Sequence, residues 1–109
     1  MNKVIILSLI AASGLMLLPT TQAASFNCNK AGNATEETIC ANARLSKADV
    51  KLANTYEIVM RLSDQSPYIR GEQLQWLRNR NQCGSRVACI SEEYQYRQQS
   101  LEDYLQANH

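Results

Sequence analysis

Histidine is all but missing from this chain: of 109 residues only the last, His109, is one. A Cys–His or Ser–His pair therefore has no scaffold, because a chain terminus is the part least held in place. The cysteines include no C-x-x-C spacing, which argues against a thioredoxin-like redox site and against a zinc knuckle. An excess of charge of one sign is lacking too. Lys and Arg number 11 against 10 Asp and Glu, so no bulk field gathers nucleic acid or an anionic membrane. Apolar–polar alternation of strand length is absent, β-branched residues are few, and only two prolines occur. The acidic pairs Glu36-Glu37 and Glu92-Glu93 do not fill the catalytic gap. Adjacent residues on a helix point in different directions, and acids near helix starts belong to solvated faces. These absences point to a helical binding domain with no catalytic residue, no metal and no cofactor.

What is present begins with an export signal. Met1-Asn2-Lys3 carries one positive charge, Val4 to Leu18 is an almost unbroken apolar run, and Pro19 to Ala23 is a polar cleavage region. Thr21 and Ala23 are the small residues that precede a cut at Ala24. The run of about 15 residues falls short of the ~20 that a spanning helix needs. Ser25-Phe26-Asn27 ahead of Cys28 is not a lipid-attachment pattern. The expected organisation is a signal peptide over 1–23 and a single domain over 24–109. The domain is expected in the periplasm or secreted, off the membrane once the signal is cut. Cleavage removes Lys3 and leaves cations and acids level.

The mature sequence reads as helices separated by short breaks. Thr35-Glu36-Glu37 opens a short helix, capped by Asn33 or Thr35 and running to about Ala41. Ser46-Lys47-Ala48-Asp49 reads as a capping box that opens a second helix, to about Leu62. Ser66-Pro67 opens a third with proline in the first helical position, and Gly84 stops it just past Cys83. A fourth runs from near Val87 to Gln106. The fold class is therefore all-α: three main helices in antiparallel hairpins plus a short N-terminal helix, stapled by disulfides.

Apolar stripes show which faces meet. The second helix carries Leu45, Leu52, Tyr56 and Val59, with Asp49 on the same stripe. The third carries Trp76, Arg80 and Cys83, with Ile69 and Leu77 beside them. The fourth carries Val87, Ile90, Tyr94, Leu101 and Tyr104, with Arg97 among them. Asp49 and Arg80 lie at nearly equal distances on either side of a turn near Gln65. They are expected to form a partly buried ion pair, for which the planar guanidinium suits a carboxylate. The alternative is that both side chains reach past the apolar face to water. Arg78, Arg80 and Arg86 gather near the cysteine turn, where a solvated helix end favours cations without a phosphate ligand.

Behind an export signal, Cys28, Cys40, Cys83 and Cys89 point to two structural disulfides. Cys83 and Cys89 flank one turn, and Cys28 leads into the helix that carries Cys40. Local pairing, Cys28 with Cys40 and Cys83 with Cys89, is the expected one of three connectivities.

Phe26-x-Cys28-x-Lys30-Ala31, Glu36-x-x-Ile39-Cys40, Leu45, Asp49-x-x-Leu52-x-x-x-Tyr56, Glu72-Gln73-x-x-Trp76-Leu77-x-x-Arg80-x-x-Cys83 and Cys89 together resemble the LprI-type lysozyme-inhibitor family, in its N-terminal domain. The resemblance spans essentially the whole mature chain. It implies a helical, disulfide-bonded, secreted or periplasmic domain, with Glu36, Asp49, Tyr56, Trp76 and Arg80 as its motif. The family's namesake is a mycobacterial inhibitor of lysozyme, so the resemblance implies a protein partner, with lysozyme as the candidate. Inhibition would plug a cleft whose catalysis depends on two carboxylates. That calls for an exposed donor on a rigid projection. The turn Gly84-Ser85-Arg86 is the candidate, because a disulfide at its base lowers its ordering cost on binding, with a plain interhelical connection as the alternative. The alternative is an envelope interaction or stress protein with another periplasmic partner. A continuous exposed apolar face would favour that alternative.

Overall fold

Short polar side chains set the starts of the first three helices. In a computed structural model, which describes residues 24–108, a single 3-10 turn at Cys28–Lys30 precedes four helices. They are α1 (Ala34–Ala41), α2 (Ala43–Leu62), α3 (Pro67–Asn81) and α4 (Val87–Asn108). The signal peptide expected over 1–23, and His109, lie outside the described residues. Asn33 Oδ1 accepts the Glu36 N–H at 2.8 Å and so caps α1. Ser66 Oγ accepts the Ile69 N–H at 3.2 Å, with Pro67 in the first helical position of α3. Both starts agree with the sequence reading.

The start of α2 does not. Asn42 ends α1 and begins α2 with an extended backbone, and its Oδ1 accepts the Leu45 N–H at 3.0 Å. Ser46, the expected cap, is buried one turn inside the helix. Its hydroxyl donates to the Ile39 carbonyl at 2.6 Å, fastening the end of α1 to α2. One asparagine thus serves two helices, and the helix begins ahead of the Ser46-x-x-Asp49 pattern. Asn42→Ala is expected to cost about 1 kcal/mol, read as a lower midpoint in thermal unfolding. Ser46→Ala would disturb the α1–α2 junction, not the helix start.

The turn between α2 and α3 falls where it was expected, at Asp64 and Gln65. Both have left-handed backbones, with φ of 56° and 61°. The Gln65 N–H reaches the Met60 carbonyl at 2.7 Å and the Asp64 N–H reaches that of Arg61 at 3.2 Å. This is the Schellman arrangement, which satisfies carbonyls left over at a helix end. At the far end, α3 stops at Asn81, before the cysteine. Gly84 has a φ of +60°, and a Cβ there would meet nothing within 4 Å. Backbone conformation, not lack of space, calls for glycine at this position.

The three long helices form hairpins whose arms are unevenly closed. The broadest helix contact is α4 on α2, followed by α1 on α2 and α4 on α3. Between α2 and α3 themselves a groove is left open. The core holds Ile39, Leu45, Leu52, Val59, Met60, Ile69, Trp76, Cys83, Ile90, Tyr94 and Leu101. The expected stripes are therefore the buried ones, with Tyr56, Leu77 and Tyr104 half-buried at their edges. Val87 is the exception. As the first residue of α4 it lies past the edge of the packing, 46% exposed. Both disulfides form as expected, Cys28–Cys40 and Cys83–Cys89. No helix among the described residues is long and apolar enough to cross a membrane.

Candidate functional site

The groove between α2 and α3 has a volume of about 630 Å³, and all five residues of the sequence motif line it. Glu36 comes from α1, Asp49 and Tyr56 from α2, and Trp76 and Arg80 from α3. Their convergence follows from helical periodicity: Asp49 and Tyr56 share one face of α2, and Trp76 and Arg80 are one turn apart. Phe26, Leu52, Leu74 and Leu77 supply the apolar part of the wall.

The floor is a chain of buried polar groups. Asp49 and Arg80 are both buried, on the two helices expected, but they do not pair with each other. The hydroxyl of Tyr94, from α4, stands between them. It donates to Asp49 Oδ1 at 2.7 Å and accepts from Arg80 Nη1 at 3.0 Å. The expected ion pair is thus replaced by a three-member relay. The reason is geometric: α2 and α3 are splayed, and α4 packs against both and fills the gap with a tyrosine. Asp49 Oδ2 accepts the backbone N–H of Ser25 at 2.6 Å.

Arg80 is fully employed. Its Nε and Nη2 donate to Asn81 Oδ1 at 3.1 and 2.8 Å, and Nη2 lies 3.6 Å from Glu36 Oε2. The guanidinium also sits over the Trp76 ring, 5.8 Å from its centroid, a cation–π contact. Trp76 meets Tyr94 edge to face, with centroids 5.0 Å apart, and its Nε1 donates to the Glu93 carbonyl at 3.0 Å. Glu36 ties the floor to the N-terminal segment, since its Oε1 accepts the Gly32 N–H at 2.7 Å. Burial, then the charge of Asp49, pushes the Tyr94 hydroxyl well above the usual tyrosine range, against an opposing pull from Arg80. Tyr94 therefore stays protonated and remains a donor to Asp49 at any physiological pH.

The cysteine turn is rigid in a different way. Thr35 is buried in α1, and its hydroxyl donates to the Gly84 carbonyl at 2.7 Å, with the Asn81 carbonyl at 3.2 Å. Arg86 folds back over the end of α3. Its Nε donates to the Cys83 carbonyl at 3.0 Å and its Nη2 to that of Gln82 at 3.2 Å. Its guanidinium is thus engaged on the carbonyls of the turn just past the helix end. Ser85 is exposed at the tip of the turn and is left as the presented donor. The turn and the groove are separate sites.

A second buried arginine, Arg97, donates from Nε to Gln73 Oε1 at 2.8 Å, while Nη1 lies 4.0 Å from Glu72 Oε1. Its Nη2 is buried without a partner. Burial pulls its guanidinium below the usual arginine range, and the charge of Glu72 works against that pull. Tyr94, Ser25 and Asn81 are the participants that the sequence reading left out. Tyr94 was legible as a stripe residue, but nothing in its spacing shows that its hydroxyl meets two charges. Among the described residues, no group of three or more His, Cys, Asp or Glu could hold a metal ion. Set against known proteins, the chain matches no family model, no curated protein and no solved structure.

Proposed function

We propose that the domain is an exported, periplasmic binding protein that inhibits lysozyme by direct association and has no catalytic residue of its own. One observation carries the choice of surface: the cysteine turn is small, polar and already ordered. Cys83–Cys89 closes its base, Thr35 holds its backbone from the side, and Arg86 bonds the carbonyls at its start. A loop ordered in advance loses little conformational freedom on entering a cleft. Two disulfides also fit an oxidising compartment. The sequence resemblance supplies the target, and Ser85 is the donor to be aimed at the lysozyme carboxylates.

The test is muramidase activity on cell walls, titrated with oxidised protein against lysozymes of several types. Near-stoichiometric loss of activity is expected. Ser85→Glu should abolish it at an unchanged melting temperature, since it sets like charge against the carboxylates of the cleft. Unchanged activity with no binding to any lysozyme would refute the inhibitor reading.

A second reading rests on the groove. Leu74 is 51% exposed on its wall, which Arg70 and Glu57 also line. An envelope protein that presents an apolar residue flanked by charges would fit there. Leu74→Asp would remove such binding and leave lysozyme inhibition untouched.

A further inference from the structure

The floor of the groove has one anion more than it has cations. Glu36 and Asp49 are carboxylates, Arg80 is the cation among them, and Tyr94 is neutral. Arg80 leans toward Glu36, so Asp49 has no ion-pair partner among the described residues. Arg70 lines the same groove but is exposed, with its Nη2 on Gln65 Oε1 at 3.2 Å. A buried carboxylate held by hydrogen bonds alone is incompletely compensated. The nearest backbone is informative. Ser25 N–H is 2.6 Å from Asp49 Oδ2, and the residue before it, Ala24, is buried against the core. Neighbouring backbone nitrogens lie about 3 to 3.5 Å apart. The nitrogen of Ala24 is therefore within about 6 Å of the Asp49 carboxylate, the range over which opposite charges favour one another.

We propose that cleavage after Ala23 completes this cluster: the α-ammonium group released on Ala24 supplies the missing cation beside Asp49. The export-signal protease adds water across the Ala23–Ala24 peptide bond. The new carboxylate leaves on Ala23, and the new amine stays on Ala24 and takes up a proton at neutral pH. Before the cut that nitrogen is a neutral amide. After it, the floor carries two anions and two cations. Maturation thus changes the electrostatics of the groove, and the unprocessed chain carries Asp49 without its counter-charge. The proposal rests on the export reading and is independent of lysozyme inhibition.

Oxidised protein that begins at Ala24 is compared with the same protein carrying a Gly-Ser extension, which moves the ammonium group away. The extension is expected to lower the melting temperature by about 4–8 °C and to have little effect in an Asp49→Asn background. No effect in the wild-type background, or an equal effect in both, overturns the proposal. A second measurement does not depend on the folding of Asp49→Asn. The α-amine of the Ala24 protein is titrated through its rate of acylation, and its midpoint is expected above the ordinary value of about 7.7–8.0. The carboxylates of Glu36, Asp49 and Glu57 raise it and are expected to outweigh Arg70, Arg80 and the burial of Ala24, which oppose them; Tyr56 and Tyr94 are neutral there. The advantage of the Ala24 protein is then full below that ordinary range and lost as pH rises through the raised midpoint. An ordinary midpoint overturns the proposal. The mass of the exported protein separates the two premises: a start at any other residue overturns it through the export reading, whatever the amine titration shows.

Discussion

Arg80→Ala lowers stability by about 3–5 kcal/mol, the cost of breaking a buried charge network from one side. The residue is 3% exposed, so the loss is not made good by water. Its removal leaves Glu36 without a cation, strips the Tyr94 hydroxyl of a donor and uncovers the face of Trp76. Asp49→Ala has a comparable effect for a different reason, because it strands the Tyr94 O–H and the Ser25 N–H. The two changes are expected to be non-additive, since both act on one hydroxyl. Tyr94→Phe separates the relay from a direct pair. In that background the coupling between positions 49 and 80 should collapse. A coupling that survives there would mean that the two charges interact without the tyrosine. Alkali gives an independent reading. Tyr94 is held protonated in the fold, by burial and then by Asp49. The unfolded chain ionises near pH 10. Above that pH the native state binds more protons than the unfolded one, so stability falls as pH rises. The network's stabilisation is complete below about pH 10, and Tyr94→Phe should flatten the alkaline limb.

This network shows where sequence reasoning carries and where it stops. Helix faces are legible because burial repeats with the helical period, and Asp49, Trp76, Arg80 and Leu101 all lie inward as their spacing requires. Pairing across a hairpin is harder. Counting outward from Gln65 places Asp49 opposite Arg80 only if the arms stay closed, and it has no way to include a third helix. The arms are splayed, and the gap admits Tyr94. The misplaced start of α2 has a local cause. Ser46 and Asn42 are both good caps, and the pattern around Ser46 looks the more complete. What decides is that Ser46 finds the Ile39 carbonyl in the interior, a contact between helices that no local pattern encodes. Arg86 illustrates a third limit. Its charge and exposure suggest a presented donor, but the long side chain folds back onto the Gln82 and Cys83 carbonyls of its own turn.

Reducing both disulfides should leave the domain largely unfolded at 37 °C. The bridges close loops of 12 and 6 residues of sequence separation. By chain entropy such loops contribute about 2 to 3 kcal/mol each, the longer one more. A domain of this size has a total of about 5–10 kcal/mol, so losing both removes most of it. The two bridges also act on different parts. Cys28–Cys40 fixes the N-terminal segment, and with it Ser25 beside Asp49, against α1. Cys83–Cys89 fixes the joint between α3 and α4, which is also held by the bonds from Thr35 to Gly84 and from Arg86 to Cys83 and Gln82. Cys28→Ser with Cys40→Ser should therefore loosen the groove, seen as faster amide exchange at Ser25 and a shifted Tyr94 signal. Cys83→Ser with Cys89→Ser should spare those signals and loosen the turn, seen as faster amide exchange at Gly84 and Ser85 while the groove is kept. Circular dichroism of oxidised and reduced protein across temperature checks the larger claim. Equal melting curves would show that helix packing alone holds this fold and that the bridges serve only the surfaces they border.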